Sequence, residues 1–378
     1  MSEKTPTLNL LPNLTAWGAD LEVALCERCQ CRFLIPCGAP PPTCPNCRQG
    51  KLEILPGGLP EMPHPYPPEL VAPFDLSEQG LSDAIQTFVT GIPFAPAGLN
   101  SAALRSHLQP VFLPMWLVDA AVSATWQAEA GFDYQVVSHQ ESYNGDLNQW
   151  STREVKEPRV RWEHRIGRLN RAYQNVAAPA VDDHAVLEKK LGSFSLKHVL
   201  PYAPERVQRA AVRLPDNPPK EAWNEAVGAF QKTASAECQQ ACEANRMRQF
   251  QWKAQFNQLN WTLLLLPIYS TCYRDDDGKL QPVVIHGQTG KAAGARRAST
   301  HRAGRASLIF LAAGVLLFVL GLLADLLAAN RLVSVLSTYI LLISVAVLVA
   351  SLIPFVIAWD FNRRQALEEA NLKQKGAG

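Results

Sequence analysis

Charge of one sign is scarce in this 378-residue chain, where 36 Lys and Arg face 34 Asp and Glu. Residues 1–300 hold 29 basic and 30 acidic side chains, a net charge of −1. A body without positive excess is poorly suited to gripping nucleic-acid backbones. Catalytic signatures are missing as well. There is no H-E-x-x-H pair and no G-x-S-x-G elbow, and the eight histidines fall at no ligand spacing. Gly287-Gln-Thr-Gly-Lys-Ala-Ala-Gly294 falls short of a phosphate loop: Ile285 stands where Gly is needed, and Ala292 where Ser or Thr is needed. No enzyme is expected. The first residues, Met1-Ser-Glu-Lys-Thr-Pro, put no basic segment before an apolar one, so no signal peptide is expected.

What the chain does have is apolar length near one end. Residues 306–329 and 332–359 are apolar runs separated by Asn330-Arg331, and each exceeds the roughly 20 residues that cross a hydrocarbon core. They predict a helical transmembrane hairpin over 306–360. Asp325 near the end of the first run is expected to reach the nearby interface, and Pro354 to kink the second. Lys291, Arg296, Arg297, Arg302 and Arg305 precede the hairpin with no acidic residue among them, and Arg363, Arg364, Lys373 and Lys375 follow it. The positive-inside rule therefore puts both flanks in the cytoplasm, with both termini. The same five residues are candidate contacts for anionic lipid head groups.

Six of nine cysteines crowd between Cys26 and Cys47. Cys26-Glu-Arg-Cys29 and Cys44-Pro-Asn-Cys47 form two Cys-x-x-Cys knuckles, a spacing that suits tetrahedral Zn2+. Four sulfur ligands leave no place for water, so a structural metal is expected, whose binding would supply folding energy to a segment of some thirty residues. Cys31 and Cys37 stay open as replacement ligands. Cys238 and Cys242, four apart on a predicted helix, are expected to be ordinary helix residues.

Between these ends, residues 54–75 are rich in proline and read as a stiff linker. Ser77 is expected to cap a helix bearing Leu81, Ile85 and Phe88. Residues 111–126, 132–137, 160–166 and 261–273 read as strands, with a hairpin at Asp276-Asp277-Gly278 returning through 281–286. Helices are predicted at 181–191 and about 219–256. The expected organisation is an N-terminal tail (1–23), a zinc ribbon (24–53), the linker (54–75), an α+β cytosolic domain (76–300), a basic collar (301–305), the hairpin (306–360) and a cytosolic tail (361–378).

Taken together, the knuckles, Leu70-Val-Ala-Pro-Phe-Asp75, Val111-Phe-Leu-Pro-Met-Trp-Leu-Val-Asp119, Leu265-Leu-Pro-Ile-Tyr269, Val284-Ile-His-Gly-Gln-Thr-Gly290 and the terminal hairpin resemble a bacterial family of zinc-ribbon membrane proteins, often mislabelled as primosomal helicase-like or TFIIB-type. His286 stands where that pattern leads one to expect Asn. The resemblance implies an inner-membrane protein partnering SPFH (stomatin/flotillin-type) scaffolds or phage-shock-type assemblies in envelope maintenance, with no helicase activity. The expectation is a non-enzymatic adaptor. A nucleic-acid tether acting through the ribbon and a subunit of a larger membrane enzyme or transporter are the alternatives.

Overall fold

The computed structural model describes residues 14, 16–38, 40–55, 66–144, 149–327 and 331–374. In chain order the elements are β1 (Leu21–Cys26), β2 (Arg32–Pro36), β3 (Leu52–Ile54), β4 (Leu70–Val71), α1 (Glu78–Thr90), α2 (Ser101–Ser106), β5 (Gln109–Asn144), β6 (Gln149–Pro179), α3 (His184–Leu191), β7 (Leu200–Pro201), α4 (Pro204–Val207), β8 (Ala211–Arg213), α5 (Pro219–Ala241), β9 (Arg246–Arg274), β10 (Leu280–His286), β11 (Ala292–Gly294), α6 (Thr300–Leu326), α7 (Arg331–Ala350) and α8 (Ile353–Gln374). Strands dominate the body, with helices mixed among them. The chain divides into two compact units. The first comprises 1–114, 181–216 and 264–378; the second comprises 115–180 and 217–263. Both boundaries on the long strands β5 and β9 fall within the strand.

Hydrogen-bonded neighbours run in the order β11-β10-β9-β5-β8-β2-β1-β3. In the first unit β1 pairs antiparallel with β2 and β3, and β2 continues the pairing onto β8 through Phe33↔Arg213 and Leu34↔Val212. The cysteine-bearing strands are thus edge-joined to the main sheet. Trp17, Val23, Leu34, Phe112, Val212 and Leu265 form one core beneath it. A second core forms where α1 buries Leu81, Ile85 and Phe88 against Tyr273, Val283 and Ile285. Ser77 caps α1, its side chain accepting from Gly80 N at 3.1 Å, as its position ahead of the apolar stripe predicts.

In the second unit β5 and β6 form a long antiparallel ribbon. Contacts between β5 and β9 run in opposite directions (Asp133 with Arg246 at 3.2 Å, Glu129 with Arg248 at 2.5 Å, Gln127 with Gln251 at 2.9 Å), so β9 is antiparallel to β5 here. Helix α5 presents Ala222, Ala226, Phe230 and Ala234 at four-residue spacing to Trp116, Val118, Val122 and Tyr173. The small alanines bring its backbone close to the bulky strand side chains. Two glycines sit inside the ribbon without ending it. Gly131 pairs with Trp162 and Gly167 with Trp126, and each indole covers the glycine opposite, within 2.8 Å of where a Cβ would stand.

The expected strands 111–126 and 132–137 are parts of the single strand β5, since Gly131 is spanned in this way. The expected helix over 219–256 is corrected. It ends at Ala241, Glu243 takes the left-handed conformation (φ 53°), Ala244 N bonds Gln239 O, and β9 begins at Arg246. Phe250, Trp252, Ala254 and Phe256 alternate with Gln251, Lys253 and Gln255, and the alternate apolar members pack against the second unit's core. That period of two belongs to a half-buried strand and overrides helix propensity. Residues 56–65 of the proline-rich segment lie outside the described residues.

Helices α6 and α7–α8 are each long and apolar enough to cross a membrane. They run antiparallel, because a Cβ on Gly314 would lie 2.8 Å from Leu348 and one on Gly321 3.0 Å from Leu341. Gly314 and Gly321 stand seven apart on α6 and are buried, as are Ser337, Ser344, Ser351 and Ala358 at the same spacing on the returning helices. A strict seven-residue stripe of small side chains lets two backbones approach closely. Ser344 and Ser351 donate to the carbonyls three residues earlier, and Ser337 lies within hydrogen-bond reach of the Ser334 carbonyl, whereas the buried Ser307 hydroxyl, seven residues before Gly314, has no partner among the described residues. The break at Ser351-Leu352 precedes Pro354, which has no N–H to continue the helix.

Gly314→Leu and Gly321→Leu are each expected to cost about 1–3 kcal/mol by overpacking the seam. Gly228→Ala, in α5 with nothing near its Cβ position, is expected to stabilise by about 0.5–1 kcal/mol. Thermal unfolding in detergent reads both; unchanged midpoints for the two leucine variants would show that the helices do not pack on these faces.

Candidate metal centre

Each knuckle folds the same way because each must turn two thiols toward one point. Gln30 N bonds Cys26 O and Arg48 N bonds Cys44 O, both at 3.0 Å, closing two tight turns. The residue after each second cysteine is left-handed, Gln30 at φ 56° and Arg48 at φ 58°. Backbone N–H groups then point at sulfur: Arg28 N at Cys26 Sγ and Asn46 N at Cys44 Sγ, both 3.4 Å. Gly50 N donates to Cys47 Sγ at 3.4 Å, and a Cβ at Gly50 would stand 2.5 Å from Cys26 Sγ. Only glycine leaves room there for the sulfur.

The Sγ atoms of Cys26, Cys29, Cys44 and Cys47 all lie within 4.8 Å of one another. Cys26 to Cys47 is 3.7 Å and Cys29 to Cys44 is 3.6 Å. A tetrahedron with metal–sulfur bonds of about 2.3 Å has edges of about 3.8 Å. The four thiols therefore fit a single metal ion, with N–H groups placed to stabilise thiolate charge. Cys31 and Cys37 stand outside the group. Cys31 is buried and accepts from Asn46 Nδ2 at 3.0 Å, and burial is the main cause pushing its pKa up to about 12. Cys37 is exposed on the turn after β2.

The guanidinium of Arg48, next to Cys47, is almost wholly enclosed. It donates from Nε to Ser270 Oγ (2.9 Å), from Nη1 to Gln109 Oε1 (2.9 Å), and from Nη2 to the Ser270 carbonyl. Ser270 Oγ in turn donates to the Pro45 carbonyl. Burial lowers the Arg48 pKa to about 10, while the sulfurs of Cys272, Cys44 and Cys47 pull the other way. At neutral pH it stays a cation, suited to balance a thiolate cluster. Neither Arg48 nor Ser270 was visible as a site residue in the sequence; their partnership spans 222 positions.

The basic residues before α6 divide. Arg296 is half-buried, donating to Phe88 O at 3.4 Å and lying over its ring. Arg302 donates to Ala95 O at 2.9 Å. Lys291, Arg297 and Arg305 are exposed. Asn362, on the far side of the hairpin, accepts from Ala298 N (2.8 Å) and donates to Ala298 O (3.0 Å), clamping the helix bases together. Asp325 accepts from Ser337 Oγ at 2.9 Å, a bond from one helix to the next.

The glycine-rich turn at 287–294 satisfies itself. Gln288 N and Thr289 N donate to His286 Nδ1 (3.1 and 3.3 Å), Gly290 N to His286 O, and Lys291 N to the Thr289 hydroxyl. Gly287 is needed because a Cβ would meet the Pro267 carbonyl at 2.6 Å. These N–H groups are not free to cradle a phosphate. His286 Nδ1 accepts from the N–H two residues on, as an Asn side chain does in an Asx turn. Asp275 is likewise occupied, accepting from Asp277 N, Lys279 N and Gln281 Nε2. Cys238 is buried among the small residues of α5, and burial, with Cys242 beside it, pushes its pKa up to about 11.

Comparison with family models, with curated proteins and with solved structures returned no match.

Purified protein is expected to carry one metal equivalent. Cys44→Ser should lose it, while Cys31→Ser and Cys37→Ser keep it, read by elemental analysis; retention by Cys44→Ser would dismiss the tetrathiolate. For His286, burial lowers the pKa below that of a free imidazole, with Lys291 adding to this and the Ser193 backbone opposing it. Below about pH 6.5 the unfolded chain takes up a proton that the fold refuses, so stability falls as pH falls. His286→Asn should keep the turn and abolish this slope. His286→Ala, which leaves two N–H donors without their acceptor, should cost about 1–3 kcal/mol. A pH slope surviving in His286→Asn would assign it elsewhere.

Proposed function

We propose that the chain is a membrane-anchored adaptor, without catalysis of its own, whose N-terminal zinc ribbon and α+β body lie on the cytoplasmic side of the inner membrane. What carries the reading is that the metal site and the apolar helices are fastened to the same unit. Arg48 ties the knuckles to β9, Asn362 ties the hairpin base to Ala298, and Ser299 ties it to Phe94. A rigid block of this kind suits presentation of a docking surface at a fixed distance from a bilayer.

Zinc is the metal of choice for four thiolates in a tetrahedron. All four positions are taken by protein sulfur, leaving none for a reacting water, so its role is structural. In that role it would hold β1–β3 against the sheet and supply folding energy. The helices would cross the bilayer as a hairpin, their exposed Leu, Ile, Val and Phe facing lipid. The excess of Lys and Arg on both flanks, against Arg331 alone between them, favours cytoplasmic termini. The resemblance to zinc-ribbon membrane proteins directs the choice of partner toward SPFH scaffolds and phage-shock-type assemblies.

Extraction in a mild detergent should co-purify a stomatin- or flotillin-type scaffold in fixed proportion; recovery of the lone chain under those conditions would defeat the adaptor reading. In intact cells stripped of their outer membrane, a maleimide that cannot cross the inner membrane should label Arg331→Cys and spare Cys37. The reverse pattern would invert the topology.

A further inference from the structure

In the first unit, α3 lies beside β10 and β11 and leaves an incompletely filled pocket of about 310 Å³. Its walls are apolar: Val186 and Leu187 come from α3, and Pro282 and Val284 from β10. These side chains are only half-buried, so the fold leaves apolar surface uncovered here. The volume lies within the range of small-molecule sites, about 300–1,000 Å³, which are mostly apolar with a few convergent polar groups.

Two cations and the amide of Gln281 add polar groups to the lining. Lys190, in the last turn of α3, is half-buried, and Arg297 follows β11. No carboxylate lines the pocket, and neither cation has an ion-pair partner among the described residues. An incoming carboxylate or phosphate could form charge-assisted hydrogen bonds with both cations. Arg297 stands three residues before Thr300, the first residue of α6. This lining residue is therefore within about 11 Å of chain from the start of α6, the helix that carries the first apolar run. Asn46, between metal ligands Cys44 and Cys47, is also part of the wall.

We propose that this pocket binds an anionic amphiphile, with an acyl chain against Val186, Leu187, Pro282 and Val284 and a carboxylate or phosphate held by Lys190 and Arg297. Apolar wall, paired cations and closeness to the hairpin point to the same chemistry. Bound there, such a ligand would touch the second knuckle through Asn46, so occupancy and the metal site share a wall.

The test uses the full chain in nanodiscs of phosphatidylcholine, with dodecanoate as probe and empty discs as background. Saturable binding of one dodecanoate per chain is expected. Dodecanol, which lacks the charge, and acetate, which lacks the tail, should each bind at least tenfold more weakly. Lys190→Gln and Arg297→Gln should each weaken dodecanoate about tenfold by removing a charge-assisted bond. Val284→Phe should fill the pocket and abolish binding, with unchanged metal content showing that the fold persists. Competition by phosphatidylglycerol added to the discs would identify a phospholipid as the occupant; its absence, with dodecanoate still bound, would identify a free fatty acid. Equal binding of dodecanol and dodecanoate, wild-type affinity in Lys190→Gln, or no saturable binding would overturn the proposal. None of these outcomes depends on whether a scaffold partner is found.

Discussion

The Arg48 guanidinium is enclosed beside a metal ligand and spends its donors on Ser270 and Gln109. Two knuckles alone enclose too little apolar surface to hold a shape. Coupling through Arg48, together with the β2–β8 pairing, gives them the sheet as a foundation. The same bonds place a fixed positive charge next to Cys44 and Cys47, where a tetrathiolate carries excess negative charge. Metal site and sheet therefore support each other: the ion would order the turn that presents Arg48, and the sheet holds Arg48 where the ion needs it.

A comparable economy operates at the other end of the chain. Glycine, serine and alanine repeat every seven residues along the hairpin seam, with Leu341 and Leu348 seated on the two glycines and most of the other large apolar side chains on the outside. At its base Asn362 makes two bonds to one residue, Ala298, while Ser299 caps α6 by accepting from Arg302 N and bonds Phe94 O through its own N–H. These contacts transmit the position of the helices into the first unit. Nearby, Arg296 and Arg302 are engaged with the carbonyls of Phe88 and Ala95, while Arg297 is exposed and lines the pocket beside α3.

Much of this was legible from residue order. The knuckles state their own spacing, the apolar runs their own length, and Ser77 its own cap, because each depends on neighbours a few residues away. The alternation at Phe250, Trp252, Ala254 and Phe256 was also legible, but the helix-forming stretch before it obscured the change of period. His286 was legible only as a departure from an expected Asn. The turn supplies its logic: an imidazole nitrogen accepts the same backbone N–H groups that an amide oxygen would.

By itself, the sequence determined that four cysteines could meet and that two helices could be buried in an apolar medium, since turn geometry and hydrophobic length are local properties. Only the tertiary structure decided which cysteines are left over, which arginine supports the cluster, and which basic residues are free. Those outcomes depend on partners such as Ser270, Phe88 and Ala298, brought close by strand pairing and helix docking across tens to hundreds of residues. No local pattern encodes such distances, because burial and hydrogen-bond satisfaction are settled only once the whole unit has closed.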